Sequence, residues 1–177
     1  MTNKQVKLIV MGVAGSGKTT FGLALAKKIQ ALYLEGDKFH SEKSIDKMSS
    51  GIPLDDQDRF PWLRTIAKEV DGSTSSVVAS CSALRQAYRD ELSAYCPKLK
   101  YIYLQIKIDE AKERVKFRQG HFMPSHLVDS QFKTLEPPKE SESVLKIDAC
   151  SIHQSQIELA LKWLEFLDFN PSLKIQK

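Results

Sequence analysis

Cysteine is scarce in this 177-residue chain, and long apolar runs are missing from it. The cysteines, Cys81, Cys96 and Cys150, lack C-x-x-C spacing. Their odd number, with no secretory segment, favours free thiols in a reducing compartment over a disulfide framework. No segment approaches the roughly 20 apolar residues of a membrane-spanning helix, and no signal-peptide pattern is present. We therefore expect a cytoplasmic protein with no membrane partner.

Charge of one sign is not concentrated in any segment either. The net charge is +4 at neutral pH, and no basic run reaches about five residues, so we expect no nucleic-acid partner. The length, with 42% hydrophobic and 27% charged residues, is typical of one folded domain with a sizeable core. We expect a single domain over 1–177 with a frayed tail at 170–177.

One dense motif is present, Gly12-Val13-Ala14-Gly15-Ser16-Gly17-Lys18-Thr19, which fits G-x-x-x-x-G-K-[ST]. Its glycines permit close backbone approaches, so that successive N–H groups can form a nest for phosphate. Lys18 is placed to reach the β- and γ-phosphates of a nucleotide, and the Thr19 hydroxyl to hold Mg²⁺. We predict that the nucleotide is bound by Gly12, Ala14, Gly15, Ser16, Gly17, Lys18, Thr19 and Thr20.

Strand patterns alternate with helix patterns along the chain. The strands are predicted at Val6–Met11, Ala31–Leu34, Val77–Ser80, Tyr101–Ile106 and Val144–Ile147, and the helices near 18–30, 58–71, 83–95, 109–119, 125–134 and 152–168. This alternation predicts an α/β fold with a parallel sheet and helices on both faces. Ligands bind at the carboxyl ends of such strands, where we expect the motif, Glu35–Asp37 and Cys81–Ala83 to meet.

Two acids, Glu35 and Asp37, follow the second predicted strand. A carboxylate beside the phosphate-binding loop can orient an acceptor hydroxyl and take its proton, and we predict this role for Asp37. Glu35 can help to hold Mg²⁺ through water. The alternative is that both acids cap the segment that follows. For Glu35 the two interpretations stay open.

An acidic segment before the third predicted helix contains one arginine, Arg59. Asp55 can cap that helix, with Asp56 and Asp58 near its positive end. Arg59 lies in the first turn of the helix, where the positive end of the helix dipole is unfavourable for a cation. It therefore needs an anionic partner. A neighbouring aspartate and a carboxylate substrate both satisfy this requirement.

Two further arginines, Arg85 and Arg89, follow the third predicted strand. With Ser82 as the N-cap, their spacing of four places them on one helix face. Such a pair is suited to forked binding of a carboxylate or phosphate. The alternative is a surface ion pair with Asp90 or Glu91.

A basic segment over 113–122 ends near Gly120. A basic helix followed by a glycine is typical of a lid, which we place at about 114–128. Arg118 can offset charge on a transferring phosphoryl group, and Arg114 can contact the nucleotide. The alternative is a solvated helix face.

Several longer sequence segments resemble those of the gluconate kinase family of small P-loop sugar-acid kinases. Besides the P-loop, they are Glu35–His40, Lys47–Arg59, Pro61–Leu63, Cys81–Leu84, Tyr88–Asp90, Gly120–Phe122 and Gln131–Pro138. They occur in family order from about residue 6 to residue 150. Two positions depart from the pattern, because some members carry Asp at Glu35 and Lys at Arg85. Both departures keep the charge.

The resemblance implies a P-loop NTPase fold, similar to the nucleoside monophosphate kinases, with a five-stranded parallel sheet and a lid. It implies ATP and Mg²⁺, transfer of the γ-phosphate to the 6-hydroxyl of D-gluconate, and a homodimer. The mechanism that we predict from the residues agrees with this reaction, with Lys18, Asp37 and Arg118 as catalytic residues and Thr19 and Glu35 as candidates to hold the metal. The substrate would contact Asp37, His40, Arg59, Arg85, Arg89 and Gln131.

Two other functions are compatible with a P-loop. A shikimate-kinase-like enzyme would share the fold, but the long Lys47–Leu63 phrase argues against it. A nucleotide switch of the GTPase kind would need an N-K-x-D motif after the P-loop. The only Asn-Lys pair, Asn3-Lys4, lies before it.

Overall fold

A five-stranded, fully parallel sheet forms the centre of the computed structural model, which describes residues 5–117, 125–139 and 143–167. The strands are β1 (Lys7–Met11), β2 (Leu32–Glu35), β3 (Val77–Ser80), β4 (Lys100–Gln105) and β5 (Val144–Asp148). Their spatial order is β2-β3-β1-β4-β5. β1 is completely buried, as expected for a strand with helices on both sides.

Helices connect successive strands, so that after each crossover the next strand begins at the same end of the sheet and runs parallel to the one before. They are α1 (Lys18–Lys28), α2 (Glu42–Ser49), α3 (Asp56–Gly72), α4 (Gln86–Tyr95), α5 (Ile108–Lys116), α6 (Ser125–Thr134) and α7 (His153–Phe166). A 3₁₀ turn at Gly36–Phe39 follows β2. Among the described residues, no helix is long and apolar enough to cross a membrane.

Two apolar clusters cover the two faces of the sheet. Leu8 and Val10 of β1 belong to the cluster that α1 and α7 complete. Ile9 and Met11 belong to the cluster that α3 and α4 complete. This alternation follows from the two-residue period of a strand. The predicted α/β fold, with helices on both faces, is confirmed.

One helix was not predicted, and the start of another was predicted wrongly. α2 was not predicted, because it has only eight residues and a single buried one, Ser44. α4 begins at Gln86 rather than near 83, because Ala83 takes a left-handed backbone conformation with φ 43°. Ser82 is therefore not its N-cap. Arg85 holds that position in extended conformation, so Arg85 and Arg89 do not share a helix face as predicted.

Candidate active site

The P-loop joins β1 to α1 and packs against the start of α5. Gly15 has φ 82°, and a Cβ atom there would lie 2.6 Å from the carbonyl oxygen of Ala111. Only glycine therefore fits at this approach. Gly17 is the N-cap of α1 with φ 89°, and no acid occupies the first turn of that helix. The positive end of α1 is thus left for an anionic ligand.

Two side chains lie on the P-loop backbone. Lys18 Nζ donates to the carbonyl oxygen of Val13 at 2.9 Å, which keeps the cation over the loop. Gln131 of α6 accepts a hydrogen bond from the N–H of Ala14 at 2.6 Å. Gln131, which the resemblance places against the sugar acid, is therefore located at the phosphate-binding loop. Ser16 Oγ is buried and has no hydrogen-bond partner among the described residues.

Thr19 and Glu35, the predicted metal-binding pair, are in direct contact. Thr19 Oγ1 donates to Glu35 Oε2 at 2.8 Å. The same carboxylate accepts hydrogen bonds from Tyr33 OH at 2.9 Å and from Ser80 Oγ. Burial raises the pKa of Glu35, but these three hydrogen bonds and the charge of Lys18 outweigh it and hold the pKa below its usual value. Glu35 is therefore a carboxylate at neutral pH.

These oxygen donors fit a magnesium ion. Hydroxyl and carboxylate oxygens are the ligands that Mg²⁺ prefers, and it usually takes one or two from the protein and the rest from water and phosphate. Within the described ranges, no group of three or more His, Cys, Asp or Glu side chains could hold a metal. The pair of Thr19 and Glu35 beside the P-loop is thus suited to a nucleotide-bound metal rather than to an all-protein site.

Asp37 and His40 lie on and just after the 3₁₀ turn that follows β2. The Asp37 side chain is 76% exposed, and its Oδ1 atom lies 3.9 Å from His40 Nε2. The His40 ring is stacked on Trp62, with the ring centroids 4.1 Å apart. Trp62 Nε1 in turn donates to the carbonyl oxygen of Gly36 at 2.8 Å. The indole therefore fixes both the turn and the imidazole, while Asp37 points to solvent.

Burial lowers the pKa of His40, and the opposing effect of the nearby Asp37 carboxylate does not offset it. The unfolded chain therefore binds a proton at His40 at a higher pH than the folded protein does. As the pH falls below about 6.5, the proton favours unfolding, and the free energy of unfolding decreases.

We expect the native protein to lose more stability than a His40→Phe variant between pH 7.5 and 5.5, since phenylalanine keeps a ring on Trp62 but does not titrate. Urea unfolding at several pH values measures this difference. Equal pH slopes for the two proteins would contradict it.

Arg59 and Arg85 meet at the phenol of Tyr88. Arg59 Nη1 donates to Tyr88 OH at 3.0 Å, and Tyr88 OH donates to Asp56 Oδ1 at 2.5 Å. Arg85 Nη1 lies 2.9 Å from Asp56 Oδ2, and its Nε lies 3.5 Å from Glu136 Oε1. The two arginines thus form a cationic site that was not predicted as a pair, and Asp56 is a counterion within it. Asp55 and Asp58 form the predicted cap of α3 as a capping box.

Arg89 differs from the other two arginines. It is 2% exposed, and its guanidinium donates to the carbonyl oxygens of Ala83 at 3.0 Å and Leu84 at 3.3 Å. It therefore holds the loop after β3 in place. The predicted forked site of Arg85 with Arg89 is wrong, because these contacts direct the Arg89 guanidinium to buried backbone.

Arg114 lies at the other side of the P-loop. Its Nη1 donates to the carbonyl oxygen of Gly15 at 3.4 Å, and its Nη2 donates to that of Ala149 at 2.9 Å. This position beside the loop agrees with a role toward the nucleotide. Arg118 lies outside the described residues, as do residues 118–124 of the predicted lid.

Three hydroxyl-bearing side chains of the site had no predicted role. Tyr33 and Ser80 hydrogen-bond Glu35, and Tyr88 joins Arg59 to Asp56. Tyr33 precedes Glu35 by two residues, so the strand period puts both on one face. That spacing was a usable signal. No sequence signal links Tyr88 to Arg59, since the two residues lie on different helices.

Known proteins match this chain over most of its length. Residues 8–138 match the family described as AAA domain. The gluconokinase of Gluconobacter oxydans is 38% identical over 143 residues, which cover 79% of this chain and 80% of that protein. The chain belongs to the gluconokinase family. The thermosensitive gluconokinase of Escherichia coli is 40% identical over 146 residues, with 79% and 77% of the two chains covered.

A solved structure supports the same assignment. The gluconokinase from Sinorhizobium meliloti superimposes with a TM-score of 0.84 at 39% identity, covering 93% of this chain and 95% of that one. The resemblance found in the sequence phrases is thereby confirmed. The five-stranded P-loop kinase fold that it implied for this gluconokinase-family chain is confirmed as well.

Proposed function

We propose that this protein transfers the γ-phosphoryl group of ATP to the 6-hydroxyl of D-gluconate, giving 6-phospho-D-gluconate. The observation that carries the proposal is the convergence of three parts at one edge of the sheet. Thr19 of the P-loop contacts Glu35 at the end of β2. Trp62 of α3 contacts Gly36 beside Asp37. Arg59 of the same helix contacts Tyr88 after β3. A nucleotide site, a candidate base and a cationic site are thus contiguous.

The residues match the chemistry of a sugar acid. Gluconate carries one carboxylate and several hydroxyls, and arginine forks bind carboxylates while Asp and His bind hydroxyls. Arg59 and Arg85 are therefore assigned to the carboxylate, and His40 to a hydroxyl. Asp37, exposed and held close to His40, orients the 6-hydroxyl and accepts its proton.

The phosphoryl group is handled by the P-loop side of the site. Lys18 and the P-loop amides bind the phosphates, and Arg118 offsets charge that develops during transfer. When the nucleotide binds, a phosphate oxygen replaces Gln131 Oε1 as the acceptor of the Ala14 N–H, since both acceptors would use the same donor. Thr19 and Glu35 would hold Mg²⁺, which supplies neutralisation of phosphate charge. The homodimer, the lid at 114–128 and the cytoplasmic location stay predictions.

A coupled assay of ADP release tests the proposal, with ATP, Mg²⁺ and a panel containing gluconate, related sugar acids and shikimate. We expect turnover with gluconate at a kcat in the range of about 1 to 100 s⁻¹ that is usual for kinases. Turnover with shikimate alone would favour the shikimate-kinase-like alternative. ATP binding without turnover on any acid would favour a regulatory nucleotide-binding module.

A further inference from the structure

The carboxylate of Glu35 accepts hydrogen bonds from hydroxyl groups on three separate elements of the fold. Thr19 Oγ1 at the start of α1 and Tyr33 OH on β2 both donate to Oε2, at 2.8 and 2.9 Å. Ser80 Oγ at the end of β3 donates to Oε1. Thr19 and Glu35 are already assigned to the metal. The other two hydroxyls have no role in the function proposed above.

We propose that Tyr33 and Ser80 are positioning residues, which hold the Glu35 carboxylate against Thr19 and thereby set the affinity for the metal–nucleotide complex. The inference rests on the proposed function only in that the site binds a nucleotide with a divalent cation. It does not depend on the identity of the acceptor.

Strand geometry makes the arrangement possible. Glu35 and Ser80 are paired in the parallel register of β2 and β3. Tyr33 lies two residues before Glu35, on the same face of β2. Tyr33 OH also lies 3.0 Å from Ser80 Oγ, and Ser80 Oγ accepts the N–H of Gly36 at 3.4 Å. The two hydroxyls are therefore held by the sheet itself and by each other.

The length of the Glu35 side chain explains why it needs this support. Glutamate has one more rotatable bond than aspartate and loses more conformational freedom when it is ordered. Because Tyr33 and Ser80 contact different oxygens of the carboxylate, they fix its rotation as well as its position. Thr19 can then use its proton toward Glu35 and its lone pairs toward a cation. Such outer-sphere partners commonly change metal affinity by about tenfold or more.

Gly22 of α1 provides the space for Tyr33. A Cβ atom at Gly22 would lie 2.8 Å from Tyr33 Cε2, closer than real Cβ atoms approach. Gly22→Ala would therefore displace the Tyr33 ring without changing any group that contacts Glu35. The same substitution raises the helix propensity of α1. An effect on binding can therefore be assigned to displacement of Tyr33 rather than to unfolding of the helix.

The test uses the full-length protein with Mn²⁺ and ADP as probes. Paramagnetic resonance of free Mn²⁺ gives the affinity for Mn²⁺·ADP, and calorimetry with a chelator gives the affinity for metal-free ADP. We expect Tyr33→Phe and Ser80→Ala each to weaken Mn²⁺·ADP binding by about tenfold. Metal-free ADP binding should change less than twofold. Gly22→Ala should show the same selective loss. Tyr95→Phe is the matched control, because Tyr95 is an exposed tyrosine on α4, whose ring centroid lies 5.4 Å from Lys68 Nζ.

Two results would overturn the proposal. One is native-like Mn²⁺·ADP affinity in both Tyr33→Phe and Ser80→Ala. The other is an equal loss of affinity with and without metal, since that would mean that the hydroxyls shape the P-loop rather than the metal site. Neither readout involves gluconate. A failure of the proposed gluconate reaction would thus leave the binding result intact, and the two failures are distinguishable.

Discussion

Replacing Asp37 by asparagine is expected to lower kcat with gluconate by about two orders of magnitude, with little change in ATP affinity. Asparagine keeps the size of the side chain and can still hydrogen-bond a hydroxyl, but it cannot accept the proton. Structure does not depend on this carboxylate, because the Asp37 side chain is 76% exposed. Its one described side-chain partner is His40, at 3.9 Å. The loss should therefore concern the transfer step and not folding.

Steady-state kinetics with gluconate and calorimetric titration with ATP measure the two effects separately. Asp46→Asn is a matched control, because Asp46 is an exposed acid on the neighbouring helix α2. It should retain native kcat. Near-native turnover of Asp37→Asn would remove Asp37 from the role of base. A parallel loss of ATP binding would instead point to damage of the P-loop side.

The strands and the P-loop could be predicted from sequence because their signals are local. Each strand is a short apolar run between turn residues, and every predicted strand overlaps an observed one. Glu35 and Asp37 could be placed at the site for a related reason. In a parallel sheet, whatever follows a strand end lies at the carboxyl end of the sheet, so connectivity alone brought Glu35 to the P-loop and Asp37 to the turn that follows it.

The arginines could not be sorted in the same way. Arg59, Arg85 and Arg89 carry the same charge, and only packing distinguishes their roles. The positive φ of Ala83 delays the start of α4, and this single backbone angle separates Arg85 from Arg89. Tyr101 OH then donates to the carbonyl oxygen of Arg89 from β4. Such long-range contacts have no sequence signature.

Gln131 illustrates a second limit of sequence reasoning. The helix that carries it was predicted at 125–134 and is observed as Ser125–Thr134. Its contact with the N–H of Ala14 joins residues 117 positions apart. The helix could be predicted from sequence and this contact could not, because helix propensity specifies a helix but not the surface on which it packs. The contact of Gln131 with the sugar acid stays a prediction.

Gly36 gives the second prediction, in which fold and site are linked at one residue. A Cβ atom there would lie 2.1 Å from the carbonyl oxygen of Ser80 and 3.2 Å from Ile66 Cδ1. The first of these atoms is backbone in the adjacent strand, so it cannot move aside without disturbing the sheet. We expect Gly36→Ala to cost about 3 kcal/mol in unfolding free energy, which lowers Tm by roughly 6–12 °C in a domain of this size.

The same substitution should reduce gluconate turnover by more than its effect on stability explains. Gly36 lies between Glu35 and Asp37, and its carbonyl oxygen accepts the hydrogen bond of Trp62, on which His40 is stacked. Displacing this peptide therefore moves the metal-binding acid, the base and the imidazole together. Gly72→Ala is the control, because nothing lies within 4 Å of a Cβ atom at that position. A Gly36→Ala protein with native Tm and native kcat would show that the β2–β3 edge yields readily, and that the site does not depend on this close approach.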